Sequence, residues 1–230
     1  MGLREEKIAR EQIAFADTHP QLLKYWHPKN TIRPTQVTAG SHKKVWWICE
    51  KGHEWEAKIQ TYTLMDSGCP YCAGRRAIPG ETDLATLRPD MLKHWDYEKN
   101  TLSPSQVLPS AHDKVWWKCE LGHSYQAVVY SRTGERATGC PYCTGKKVLA
   151  GFNDLATRFP EVAAQWHDAL NGDLKPRDVT AGSNKKVWWR CGDGHVWQAC
   201  IYSRTRKKRS GCPVCAGMAK QTELHRSLSC

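Results

Sequence analysis

Three thiols and one imidazole occur together three times in this chain. The sets are Cys49, His53, Cys69 and Cys72; Cys119, His123, Cys140 and Cys143; and Cys191, His195, Cys212 and Cys215. Each begins as Cys-x3-His and ends as Gly-Cys-Pro-x-Cys. Thiolates and an imidazole in two close pairs are the ligand supply of a closed tetrahedral zinc site. Because protein fills all four positions, no corner is left for a catalytic water, and the metal reads as structural. Disulfides do not explain the pattern, since nine of eleven cysteines fall into the sets with a histidine at one fixed offset. Three Zn2+ ions per chain are therefore expected. Gly52, Gly122 and Gly194 precede the histidines and ease a tight reversal there.

The elements that must position these ligands repeat as well. The first cysteines of the sets lie about 70 residues apart, as do Trp26, Trp95 and Trp166. That divides the 230 residues into a lead (1–12), three repeats (13–78, 79–148 and 149–217) and a tail (218–230). A unit of this size has a marginal core, for which a structural metal is a usual remedy. Each repeat opens with a helical signal built on proline at Pro20, Pro89 or Pro160, and Asp83 and Asp154 suit helix caps. A turn-rich connector leads to a strand, Lys-Val-Trp-Trp-x-Cys, and the metal knuckle turns the chain into a second strand. Adjacent strand residues face opposite ways, so one tryptophan of each pair points inward. Its neighbour is expected to pack against the helix of its repeat, or to stay free for stacking on a base. The fold class is thus small α+β zinc-stabilised repeats: three tandem zinc-ribbon or treble-clef-like modules, each a β-hairpin with two knuckles and a short helix.

Composition narrows the partners. The formal charge is +11. A zinc bound by three thiolates and a neutral imidazole carries about −1, so three centres lower the balance to about +8. A basic chain favours polyanions, nucleic acid above all. The loop before the second knuckle holds Arg132 and Arg136 in the second repeat, and Arg204, Arg206, Lys207, Lys208 and Arg209 in the third. These seven are the candidate phosphate contacts, although cations beside an anionic zinc–thiolate centre also have a local electrostatic role. The first repeat reads Gln60-Thr61-Tyr62-Thr63 there and should bind anions more weakly. No long reading helix of the two-cysteine, two-histidine finger is present, so no base code is expected.

The combination Val-Trp-Trp-x-Cys, Gly-His-x-Trp/Tyr and Gly-Cys-Pro-x-Cys-x-Gly, with Asn/Thr-Asp-Leu-Ala-Thr between repeats, resembles a specific family. That family is a bacterial tandem probable zinc-ribbon repeat of unknown function, described as treble-clef-like. The resemblance covers residues 18 to 217 and carries over to the twelve ligands and to no catalytic residue. Its members are sometimes linked to very-short-patch-repair-like endonuclease domains, which implies a DNA-directed role. Only thirteen residues follow Gly217, too few for a nuclease.

The expected function is non-catalytic: a zinc-binding repeat protein that binds nucleic acid, DNA over RNA, as the targeting module of a mobile-element or defence system. The alternatives are a protein-interaction scaffold or the remnant of a zinc-repeat nuclease, and a nuclease or other protein is a further expected partner. No recurrent histidine–nucleophile pair, phosphate-cradling glycine loop or dinucleotide fingerprint supports catalysis. Metal thiolates point to a reducing, cytoplasmic setting, and no apolar run reaches membrane-spanning length.

Overall fold

The computed structural model describes residues 13–64 and 68–220. The expected N-terminal lead, with most of the C-terminal tail including His225 and Cys230, lies outside the described residues. Among the described residues three antiparallel two-stranded sheets carry the architecture: β1 (Lys44–Ile48) with β2 (Glu54–Lys58), β3 (Lys114–Lys118) with β4 (Ser124–Val128), and β5 (Lys186–Arg190) with β6 (Val196–Cys200). By internal contacts the chain forms two compact units. One reaches residue 116 and includes Ala127–Glu135; the other holds Trp117–Gln126 and runs on from Arg136.

The strands form where β-branched and aromatic residues alternate with charge. In β1, Val45 and Trp47 turn inward while Lys44 and Trp46 are exposed, and β5 repeats the inward pair as Val187 and Trp189. The register sets Trp47 opposite Trp55 and Trp189 opposite Trp197. Trp47, Trp117 and Trp189 are wholly buried. The indole Nε1 of Trp47 donates to Ala57 O at 3.2 Å, and that of Trp189 to Ala199 O at 3.1 Å. The partner strand thus satisfies the one polar atom that these large apolar groups carry inward.

Around each hairpin the flanking segments close a small core. In the first repeat Phe15, Val37, Ile59 and Tyr62 join the strand residues; in the third, Leu155, Val162, Val179 and Ile201 do so. The proline-led segments Pro20–Tyr25 and Pro89–His94 are 3-10 helices, and only Pro160–Ala163 is α-helical.

A further difference lies after the second strand. The sequence reads as a basic loop there, but Ile59–Leu64, Val129–Thr133 and Ile201–Thr205 are short α-helices. A threonine common to all three anchors them: Thr63, Thr133 and Thr205 Oγ1 donate to Ala39, Pro109 and Ala181 O at 2.9, 2.5 and 2.7 Å. Tertiary anchoring overrides weak helix propensity.

The expected caps are present. Asp83 and Asp154 accept from the amides of Thr86 and Thr157, both at 2.9 Å. Their second oxygens accept from Gly80 and Gly151 amides and from the threonine hydroxyls. Burial pushes the Asp154 pKa up, but the Thr157 and Gly151 hydrogen bonds outweigh it and leave the value below the usual carboxylate range. A folded pKa below the unfolded one stabilises the fold above about pH 4, and that stability is lost as pH falls through the folded value. Asp154→Ala is therefore expected to destabilise the third module by about 1–2 kcal/mol at neutral pH. Asp154→Asn, which keeps the shape of the cap without its charge, should lose part of that stability in urea unfolding at pH 7, where the zinc stays bound. An asparagine variant as stable as the parent would contradict the cap's ionised role.

Candidate metal centre

Each ligand set is assembled by two turns. The first knuckle is the hairpin turn itself. Cys49 N donates to His53 O at 3.0 Å and Gly52 N to Cys49 O at 2.9 Å, which requires a left-handed residue at Gly52, φ +80°. The second knuckle is a single turn closed by Ala73 N to Cys69 O at 3.0 Å and Arg75 N to Pro70 O at 2.8 Å, with Gly74 at φ +63°. No long helix follows it. The sequence expectation of two knuckles on a hairpin holds in all three modules.

Within each set the four ligand atoms lie within 4.8 Å of one another. In the first, Cys49 Sγ is 3.8 Å from Cys72 Sγ, and His53 Nδ1 is 3.4, 3.6 and 3.4 Å from the sulfurs of Cys49, Cys69 and Cys72. A zinc tetrahedron with bonds of about 2.3 Å to sulfur and about 2.05 Å to nitrogen has S–S edges of about 3.8 Å and S–N edges of about 3.6 Å. The second set gives 3.8 Å for Cys119–Cys143, and 3.5, 3.9 and 3.3 Å from His123 Nδ1 to Cys119, Cys140 and Cys143. The third gives 3.8 Å for Cys191–Cys215 and 3.4 Å from His195 Nδ1 to each of them. The donor sets fit zinc in edge length, in atom type and in the shared use of Nδ1.

Electrostatics agree. Three thiols this close cannot ionise independently. Burial, then the neighbouring Cys69 and Cys49, push Cys72 up to about 11, and burial with Cys140 and Cys119 pushes Cys143 up to about 12. Cys49 and Cys119 go the other way: burial opposes ionisation, but knuckle amides (His53 and Lys51; His123 and Leu121) outweigh it and hold both below the ordinary thiol range. A divalent cation lets all three ionise at once. Zinc would be held by Cys49, His53, Cys69 and Cys72 and by the two equivalent sets, supplying a cross-link and no open coordination position.

The structure separates the seven candidate cations into groups. Arg136, Arg206, Lys207 and Lys208 are exposed. Arg209 is exposed but pairs with Glu161 at 2.7 Å. Arg132 and Arg204 are corrections, being only 9% and 5% exposed. Arg204 lies 5.2 and 5.1 Å from the ring centroids of Trp189 and Trp197, donates to Ser210 O at 2.8 Å and also donates to Gln165. Burial holds its pKa below the ordinary guanidinium value, and the charge of nearby Cys212 offsets only part of that. A guanidinium held between indoles beside a thiolate belongs to the core and not to a phosphate backbone.

The outward tryptophans are placed differently from expectation. Trp46 is 38% exposed and carries Lys29 Nζ 3.4 Å from its ring centroid; Lys99 takes the same place 4.5 Å from Trp116. Beneath each ring the backbone is gripped by an asparagine that sequence reading missed. Asn30 Oδ1 accepts from Trp46 N at 2.8 Å and its Nδ2 donates to Trp46 O at 2.7 Å. Asn100 does this for Trp116, and Asn171 for Trp188. The available signal was an asparagine recurring sixteen or seventeen residues before the strand tryptophan.

Hairpin, twin knuckles and closed Cys3His sets, repeated three times, define a tandem array of small zinc-finger modules of treble-clef type. A family model described as a probable treble clef zinc finger domain matches residues 22–75, 91–146 and 162–218. The three matches span most of the chain, which belongs to that family. No curated protein matches it.

Proposed function

We propose that this zinc-finger array is a non-catalytic nucleic-acid-binding protein, with DNA the favoured polymer, serving as the targeting module of a larger system such as a mobile element or a defence apparatus. The carrying observation is the exposed run Arg206, Lys207 and Lys208, which leaves the short helix Ile201–Thr205 just before the third knuckle. Arg136 occupies the corresponding loop of the second module, and Lys146 and Lys147 are exposed where that module exits. The zinc sites hold these loops and offer no open coordination position, so the reading requires no chemistry from the metal. Among the described residues no helix is long and apolar enough to cross a membrane.

Contacts of this type are to phosphate, so affinity falls steeply with salt and carries little sequence information. Replacing Arg206, Lys207 and Lys208 together by glutamine is expected to weaken binding to a labelled oligonucleotide by at least about tenfold at 50 mM salt. It should also flatten the plot of log K against log salt by about two to three units of slope. Fluorescence anisotropy at several salt concentrations reads both. Unchanged affinity and slope would refute the contact loop, and a zinc-loaded parent that binds no oligonucleotide at low salt would refute the function.

A further inference from the structure

The third module exposes one large aromatic ring between two groups of cations. Tyr202 is the second residue of the helix Ile201–Thr205 and is 50% exposed. On one side its amide donates to Ser183 O at 2.9 Å and the Ile201 amide to Lys185 O at 3.0 Å, which sets Tyr202 next to the exposed Lys185 and Lys186 at the start of β5. On the other, Arg206 N donates to Tyr202 O at 3.1 Å, so Arg206, Lys207 and Lys208 leave the helix one turn from the ring. Two basic stretches that are separate in sequence are thus brought by the backbone to the residue that carries the exposed phenol.

The second module repeats the arrangement in weaker form. Tyr130 is 53% exposed, its amide donates to Ala111 O at 2.9 Å, and its ring lies 5.7 Å from that of His112. In the first module the same backbone bond, Gln60 N to Ser41 O at 3.0 Å, is made by a residue without a ring. The outward tryptophans fill this role less well, because a lysine already lies over Trp46 and Trp116, and Trp188 is less exposed than Tyr202.

An exposed aromatic face beside cations that track a backbone is how proteins hold unpaired bases, whose faces are hidden in a duplex. We propose that Tyr202, supported by Tyr130, is a base-stacking platform and that the preferred partner is single-stranded nucleic acid. The proposal rests on the nucleic-acid reading above and specifies its partner. Lys185, Lys186, Arg206, Lys207 and Lys208 take the phosphates on either side of a base stacked on Tyr202, and the first module contributes charge alone.

The zinc-loaded chain is titrated against labelled oligothymidine, a hairpin duplex and an abasic phosphodiester strand of equal length. The parent should bind oligothymidine most tightly. Tyr202→Ala should weaken that complex by about tenfold while changing duplex and abasic binding by less than about twofold. Tyr202→Phe, which keeps the ring, should behave as the parent, and the duplex and abasic binding retained by Tyr202→Ala excludes loss of fold as the cause. A parent preference for duplex, or a Tyr202→Ala loss equal on all three probes, would overturn the stacking role while leaving the phosphate reading intact. Failure of the parent to bind any probe would instead remove the nucleic-acid reading, and with it this one.

Discussion

Stripping the metal with a strong chelator is expected to unfold every module, with loss of the near-ultraviolet circular dichroism of the buried tryptophans. Each module has one aromatic cluster on a hairpin of two five-residue strands, and two strands alone are marginal in water. The metal joins the hairpin turn to the chain that follows the helix, Cys49 and His53 to Cys69 and Cys72. Structural zinc contributes on the order of 10–16 kcal/mol in small finger peptides near neutral pH, more than a core of this size supplies. Metal analysis of the parent should return three zinc ions per chain. Acid should release them, since the ligands bind as thiolates and neutral imidazole. A tryptophan signal that survives complete metal removal would show that the cores stand alone, and the structural assignment of the zinc would fail.

Trp189→Ala should produce the second-largest effect, a loss of about 3–5 kcal/mol confined to the third module. Trp189 is wholly buried, packs edge-on against Trp166 with centroids 5.5 Å apart, and forms one wall of the Arg204 site. Its removal leaves a cavity beside a buried cation. Because the core that aligns Cys191, His195, Cys212 and Cys215 is then weakened, the variant should surrender its third zinc to a competing chelator before the parent does. Thermal unfolding together with chelator competition tests both parts. Zinc release in step with the parent and an unchanged midpoint would mean that the indole does not support the site.

The parts of this fold that were legible in the sequence are those whose chemistry leaves no choice of partner. A thiol set with a histidine at constant offset has one common reading, and the tetrahedral edges agree with it. Asp83 and Asp154 were legible as caps because a short acid before Leu-Ala-Thr can reach the free amides of a first turn. The charged residues were less legible. Arg204 belongs to a run of five cations in six residues, which reads as solvated surface, yet two indoles and a carbonyl draw it inside. The helix Val129–Thr133 was hidden because its stability lies in the Thr133–Pro109 bond, made across 24 residues. The asparagine grip was hidden by a shift of one residue, since Asn30 follows its repeat tryptophan by four and Asn100 and Asn171 by five.

That grip bears on how three such similar hairpins coexist in one chain. A two-stranded sheet leaves two open edges, and each open edge invites another strand. Identical strands spaced along one polypeptide are the usual setting for mispairing and domain exchange during synthesis. Asn30, Asn100 and Asn171 occupy the outward amide and carbonyl of the middle residue of β1, β3 and β5, where an incoming strand would have to bond. The amide of each side chain acts as a one-residue imitation strand and, with the backbone amide of His27, Asp96 or His167 on the same carbonyl, closes that edge. Repetition can then lengthen the array without the copies recognising one another.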